Sequence, residues 1–254
     1  MKKILHYSRV AAFALCVMLS ASLLSGCVVI SFDGFNSREK SVSGEGNPES
    51  FSIDVGEFSE LKVELLCEIE YYSAASCSVT LEVQPNLRDY IVVEESGGVL
   101  SVRTNRNILW SGKAPVLTVK SPSLNKASFS GAGSLTLHDT ITADSFSLIL
   151  QGTLDCKAKF DVNKLIAEIE GMGSIELSGR ADNADISVDG TSKVDALSLQ
   201  TCDASVSLNG ISTVKISCSD NLYVEADGLG TVEYQGSPSI DMDTNGPVSV
   251  KKIK

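Results

Sequence analysis

From Ser130 onward the apolar residues fall on every second position, and the alternation is punctuated by glycines that each follow a polar residue. The anchors are Gly131, Gly152, Gly171, Gly190, Gly210, Gly228 and Gly246, spaced 18 to 21 residues apart. Four positions after each glycine stand Leu135, Cys156, Ile175, Val194, Val214 and Val232, and six after stand Leu137, Ala158, Leu177, Ala196, Ile216 and Tyr234. Counting back from the next glycine, offsets two, four and six are again apolar or small, as in Leu148, Ala167, Ile186, Val206, Val224 and Met242 at offset four. All these offsets are even. Alternation with period two places them on one face of an extended strand, whereas a helix would repeat its apolar positions at three and four. A repeat of about 20 residues with like residues in columns predicts an all-β fold, a parallel β-helix (β-solenoid) over residues 130–254. Rungs about 4.8 Å apart would stack strand on strand.

The odd offsets read as the outer face. Five after each glycine they run Thr136, Lys157, Glu176, Asp195, Lys215 and Glu233, so stacked neighbours often carry opposite charge and pair weakly. Gly133, Gly173 and Gly230, with Ser192 and Ser212 at the same offset, mark a bend whose inner side has no room for bulk. Residues 51–129 are also strand-rich but less regular. Leu61, Val63, Leu65, Cys67, Ile69 and Tyr71 alternate along one long strand, and turns fall at Pro85-Asn86, Gly97-Gly98 and Pro122. This portion either caps the solenoid or begins it.

The chain opens with Lys2, Lys3 and Arg9, then runs apolar from Val10 through Leu24, the layout of a secretory signal over residues 1–26. Leu24-Ser25-Gly26-Cys27 is similar to the bacterial lipobox, which makes Cys27 the expected lipidation site and the membrane a partner through an N-terminal lipid anchor. Removing the signal takes three positive charges and no negative one from a net of −11, leaving −14. Val28 in place of an Asp resembles outer-membrane sorting. Residues 27–50, rich in Ser, Gly, Asn and Glu, read as a flexible tether. An acidic chain with no run of Lys or Arg excludes nucleic acid as a partner.

Five cysteines remain beyond Cys27. Cys67 and Cys77 flank a turn near residues 72–76 and are candidates for a cross-hairpin disulfide in an oxidising compartment. Cys156, Cys202 and Cys218 read as small buried hydrophobes. No CxxC or Cys/His cluster suggests a zinc site, and no cofactor is called for. In the C-terminal repeats Glu225, Asp227, Asp241 and Asp243 occupy outward offsets on stacked strands. They are a weak candidate cation site, with an acidic solvated surface as the simpler reading.

Several segments follow in a telling order: Val83-Gln84-Pro85-Asn86-Leu87, Gly98-Val99-Leu100-Ser101-Val102, residues 116–124 and Phe129-Ser130-Gly131-Ala132-Gly133. This series resembles the GIN-domain family, labelled as a putative auto-transporter adhesin head domain, over about residues 49–250. The resemblance implies a β-helical envelope protein, often lipid-anchored, of the kind common in Bacteroidetes-type bacteria. It carries no catalytic residues.

Catalytic chemistry finds little support. His138 is the single histidine after the signal segment and sits at an outward offset with no serine-nucleophile context. Arg180 is the one arginine of the repeats, and Trp110, Tyr71 and Tyr72 are too few to form a sugar-stacking cleft. The preferred reading is a noncatalytic envelope-anchored binding or adhesin-like lipoprotein with a glycan or protein ligand. A structural or regulatory envelope component and a carbohydrate-active β-helix enzyme are the alternatives.

Overall fold

The structure, a computed structural model, describes residues 42–110 and 112–253. The signal segment, Cys27 and most of the expected tether lie outside the described residues. In chain order the elements are β1 (Val42–Ser43), β2 (Glu49–Ile53), β3 (Glu60–Ser73), β4 (Ser78–Val83), a 3-10 turn (Pro85–Tyr90), β5 (Ile91–Ser96), β6 (Val99–Thr104), β7 (Ile108–Leu109) and β8 (Val116–Ser121). A continuous extended segment, β9 (Lys126–Ala226), follows, then β10 (Leu229–Gly236), β11 (Ser239–Thr244) and β12 (Val248–Lys252). The fold is all-β, dominated by one mixed ten-stranded sheet.

β9 spans 101 residues, and a straight strand of that size would be about 330 Å long. Its own glycines show that it doubles back. A Cβ added to Gly152 would collide with the carbonyl oxygen of Gly131, one on Gly171 with that of Gly152, and one on Gly190 with that of Gly171. The same close approach recurs at Gly210, Gly228 and Gly246. Each glycine thus lies against its counterpart one repeat earlier, and backbone contact is what excludes a side chain there. Where the position two residues on is Ser rather than Gly, the hydroxyl serves the same bend: Ser192 Oγ donates to the Gly171 carbonyl at 3.1 Å and Ser212 Oγ to the Gly190 carbonyl at 3.2 Å. Further on, β10 runs parallel to β9 with Leu229 opposite Ile211 and Val232 opposite Val214, and β12 runs parallel to β10.

The even offsets form the core. Leu135, Ile175, Val194, Ile216 and Val224 are buried, as are Leu61, Val63, Cys67, Ile69 and Tyr71 of β3. β3 pairs in parallel with β6, β8 and β9, which continues the same stacking. β2, β4 and β5 pair antiparallel instead, β4 against β2 and β8 and β5 against β6.

The hairpin expected between β3 and β4 is not formed. β8 lies between them, Cys77 falls in the link just before β4, and both cysteines are free thiols. A turn can be read from local sequence, but insertion of a strand that follows 40 residues later cannot.

Candidate functional site

The outer face is polar along most of its columns, with one exception beside the glycine bend. The residue immediately after each glycine points outward, and this column includes Met172, Ile211 and Leu229, exposed by 57, 61 and 52%. Ile211 and Leu229 are register partners on adjacent parallel strands. Ile211 and Leu229, but not Met172, line a shallow depression of about 580 Å³ together with Thr191, Ser192, Lys193, Thr213, Thr231 and Pro247. Its floor is bare because Gly173 and Gly230 carry no side chain, and a Cβ at Gly173 would strike the Leu154 carbonyl. Large apolar side chains aligned in solvent next to small and hydroxylated residues make a surface suited to contact rather than chemistry.

The expected charge column is present. Lys157 lies 3.5 Å from Glu176, and Glu233 is held between Lys215 at 2.9 Å and Lys251 at 2.8 Å. Hydrogen bonds from Lys251 and Lys215 lower the Glu233 carboxyl from its ordinary 4.5 to about 2. Two further ladders escaped the sequence reading. Before the glycines, Gln151 donates to Glu170, Asn209 to Asp189 and Asn245 to Asp227. At a second corner Asn163 donates to Asp144 and Asn221 to Asp203, both at 2.6 Å. Pairing of an amide with an acid one repeat away was visible in the columns, since an amide can donate where a second carboxylate would repel.

Glu225, Asp227, Asp241 and Asp243 do not converge into a cation site. Asp243 lies opposite Glu225 and Asp241 opposite Tyr223 along β11, while Asp227 accepts the Asn245 amide. Among the described residues no group of three or more His, Cys, Asp or Glu is placed to hold a metal ion. Burial, then the charges of Glu225, Asp243 and Asp241, push the Tyr223 hydroxyl above its ordinary value, so these acids form an accumulated negative surface.

The candidate aromatics are used internally. Tyr71 is buried, with its hydroxyl 3.0 Å from Ser121 Oγ. Tyr72 stacks on His138 with ring centroids 4.4 Å apart, and Lys120 Nζ lies 5.9 Å from the Tyr72 ring centroid. His138 Nε2 pairs with Glu70, so this outward histidine belongs to a cross-strand ladder over β8, β3 and β9. Trp110 packs against the core and Arg180 pairs with Asp182 at 2.7 Å. Cys67 and Cys156 are buried thiols raised by desolvation to about 12, well above the range of a reactive thiolate.

The family described as "Putative auto-transporter adhesin, head GIN domain" matches residues 57–238. Solved structures share the fold. A putative adhesin from Bacteroides fragilis superposes with a TM-score of 0.80 at 21% identity, covering 84% of this chain and all of that one. A putative lipid binding protein from Parabacteroides distasonis gives 0.66 at 20% identity, covering 85% of this chain and all of its own. A putative adhesin from Parabacteroides merdae gives 0.60 at 20% identity, covering 84% and 99%. None of these descriptions names an enzyme. No curated protein matches the chain.

Proposed function

We propose, from the premise that this chain belongs to the GIN-domain family, that it is a noncatalytic, adhesin-like binding module held at the cell envelope. Residues 130–254 wind as coils of a parallel β-solenoid, and residues 51–129 close its N-terminal side. The parallel register of β9, β10 and β12 and the glycine-on-glycine contacts support this reading. Residues 1–26 are the export signal, Cys27 carries the lipid, and the tether, by preference to the outer membrane, ends before Val42 rather than at residue 50, since β1 pairs with β7 and β2 begins at Glu49. Replacing Cys27 with Ser should abolish incorporation of labelled palmitate, and continued incorporation would remove the anchor from this account.

The observation that carries the binding role is the exposed pair Ile211 and Leu229 in the depression at the glycine bend, with Met172 exposed two levels away in the same column. Apolar side chains kept in solvent on neighbouring strands, as Ile211 and Leu229 are, contribute nothing to the core, and such a patch marks a surface made to be covered. The ligand this face suits best is a protein surface, with a glycan held by the neighbouring hydroxyls as the less apolar choice. The full chain in detergent can be applied to a glycan array and to immobilised envelope and extracellular proteins, beside Ile211→Ser/Leu229→Ser. A partner bound by the parent and lost by the variant supports the reading. Equal binding by both moves the site elsewhere, and release of reducing ends from a polysaccharide would overturn the noncatalytic role.

A second reading draws on the relative described as lipid-binding and on the same apolar ladder, along which an acyl chain could lie across successive strands. Retention of a radiolabelled fatty acid by the parent and not by the double variant would favour it over a protein ligand.

A further inference from the structure

The inward face of the repeats is covered at every level until the last. Ile240 and Met242 of β11 stand over Leu222 and Val224 in register, at offsets that are buried in each preceding repeat. Yet they are 37 and 55% exposed. Across the same end, Val248 and Val250 of β12 are only partly buried. β11 pairs with β9 alone and β12 with β10 alone, so each has an outer edge that no strand among the described residues covers. The opposite end is different. There β2, β4 and the 3-10 turn bury Val79, Leu81, Val83 and Leu87, so this end exposes no comparable apolar level, although β2, paired with β4 alone, keeps a free outer edge.

The open end is also electrically divided. β11 presents Asp241 and Asp243, with Glu225 directly beneath Asp243. β12 presents Lys251, already paired with Glu233, on its outward face, while Lys252 stands at the opposite parity beside Tyr234 and donates to Ser237 Oγ at 3.1 Å.

We propose that a second copy of this chain covers this end, related by a two-fold axis, with β11 of each copy running antiparallel along β12 of the other. The inference rests on the solenoid reading but not on the adhesin role. Because the uncovered apolar level lies at one end only, the isologous arrangement, which closes on itself, covers it in both copies. Charge selects the pairing within it. Setting β11 against β11 would bring four carboxylates together, whereas setting β11 against β12 places Asp241 opposite the partner's Lys251. In that register Met242 meets Val250 of the other copy across the junction and, with Ile240 beside it, is withdrawn from water. The paired edges satisfy backbone groups that a lone copy leaves to water.

The test is the mass of the full chain in detergent by sedimentation equilibrium. The parent should be a dimer, Met242→Asp a monomer, and Met172→Asp, equally exposed but on the ladder, still a dimer. Asp241→Lys should weaken dimerisation by about tenfold or more, and adding Lys251→Asp should restore it. Zero-length coupling of an isotopically heavy copy to a light one should join Asp241 to Lys251, which keeps the proposal testable should Met242→Asp fail to fold. A parent that stays monomeric, including one that uses this end for a different protein, would overturn it. So would a Met242→Asp dimer as tight as the parent's, a charge reversal without rescue, or heavy-light coupling of β11 to β11.

Discussion

The two ends of the described chain solve the same problem differently. Around β2, β4 and β5 the strands vary in length and direction, and the interior is sealed by antiparallel pairing and by Leu87 from the 3-10 turn. From β9 to β12 one rule repeats, with even positions in, odd positions out and a glycine at the bend, and the final level is left uncovered. Repetition makes a stack simple to extend but gives it no means of ending, and an end must be made from something irregular or from another molecule.

The contrast can be broken first through parity. Val194→Asp places an unpaired charge in the core and should cost about 4 kcal/mol or more, while Asp195→Asn, one residue away on the outer face, should leave denaturant unfolding nearly unchanged. Equal tolerance at both positions would refute the alternation. The glycines come next. Gly190→Ala drives a methyl into the Gly171 carbonyl and should destabilise by about 2 kcal/mol or more. Gly98→Ala in the β5–β6 turn meets open space but has φ +81°, so it should cost only about 1 kcal/mol. Comparable melting of the two variants would deny that backbone contact fixes the bend.

Much of this was legible because a period of two with a punctuating glycine states directly which side chains share a face. Val194, Ile216 and Leu177 were all assigned to the interior from that pattern and are buried. What stayed hidden was whatever depends on strand order or on what lies overhead. β8 enters between β3 and β4 from 40 residues downstream, which no local pattern encodes, and this removed the Cys67–Cys77 hairpin. Ile240 and Met242 have the parity of core residues, and parity says which way a side chain points but not what covers it. The Met172–Ile211–Leu229 ladder was missed for a plainer reason. Its column also holds Ala132, Thr153 and Thr191, so only the size of three residues at an odd offset gave the signal.

Smaller effects sharpen the comparison. Tyr71→Phe removes the hydroxyl contact to Ser121 in the irregular half and should cost about 1 kcal/mol in chemical denaturation. In the repeats Glu233→Gln should produce the smallest change, and one that depends on pH. The lysines lower this carboxyl from 4.5 to about 2, so its contribution is complete above about pH 4.5 and is lost as pH falls toward 2. The melting difference between parent and variant should therefore be seen at pH 7 and close across that interval. A gap that widened on acidification would contradict the pairing.

The claim on which both the stack and its binding face depend is that the residues following successive glycines form one continuous outward ladder. Disulfide mapping of paired cysteine variants by mass spectrometry tests it directly. Ile211→Cys/Leu229→Cys, whose positions are register partners, should form an intramolecular bond under mild oxidation, while Met172→Cys/Ile211→Cys, separated by the level of Thr191, should not. Bridging of the distant pair, or failure of the adjacent pair in a folded chain, would contradict the account.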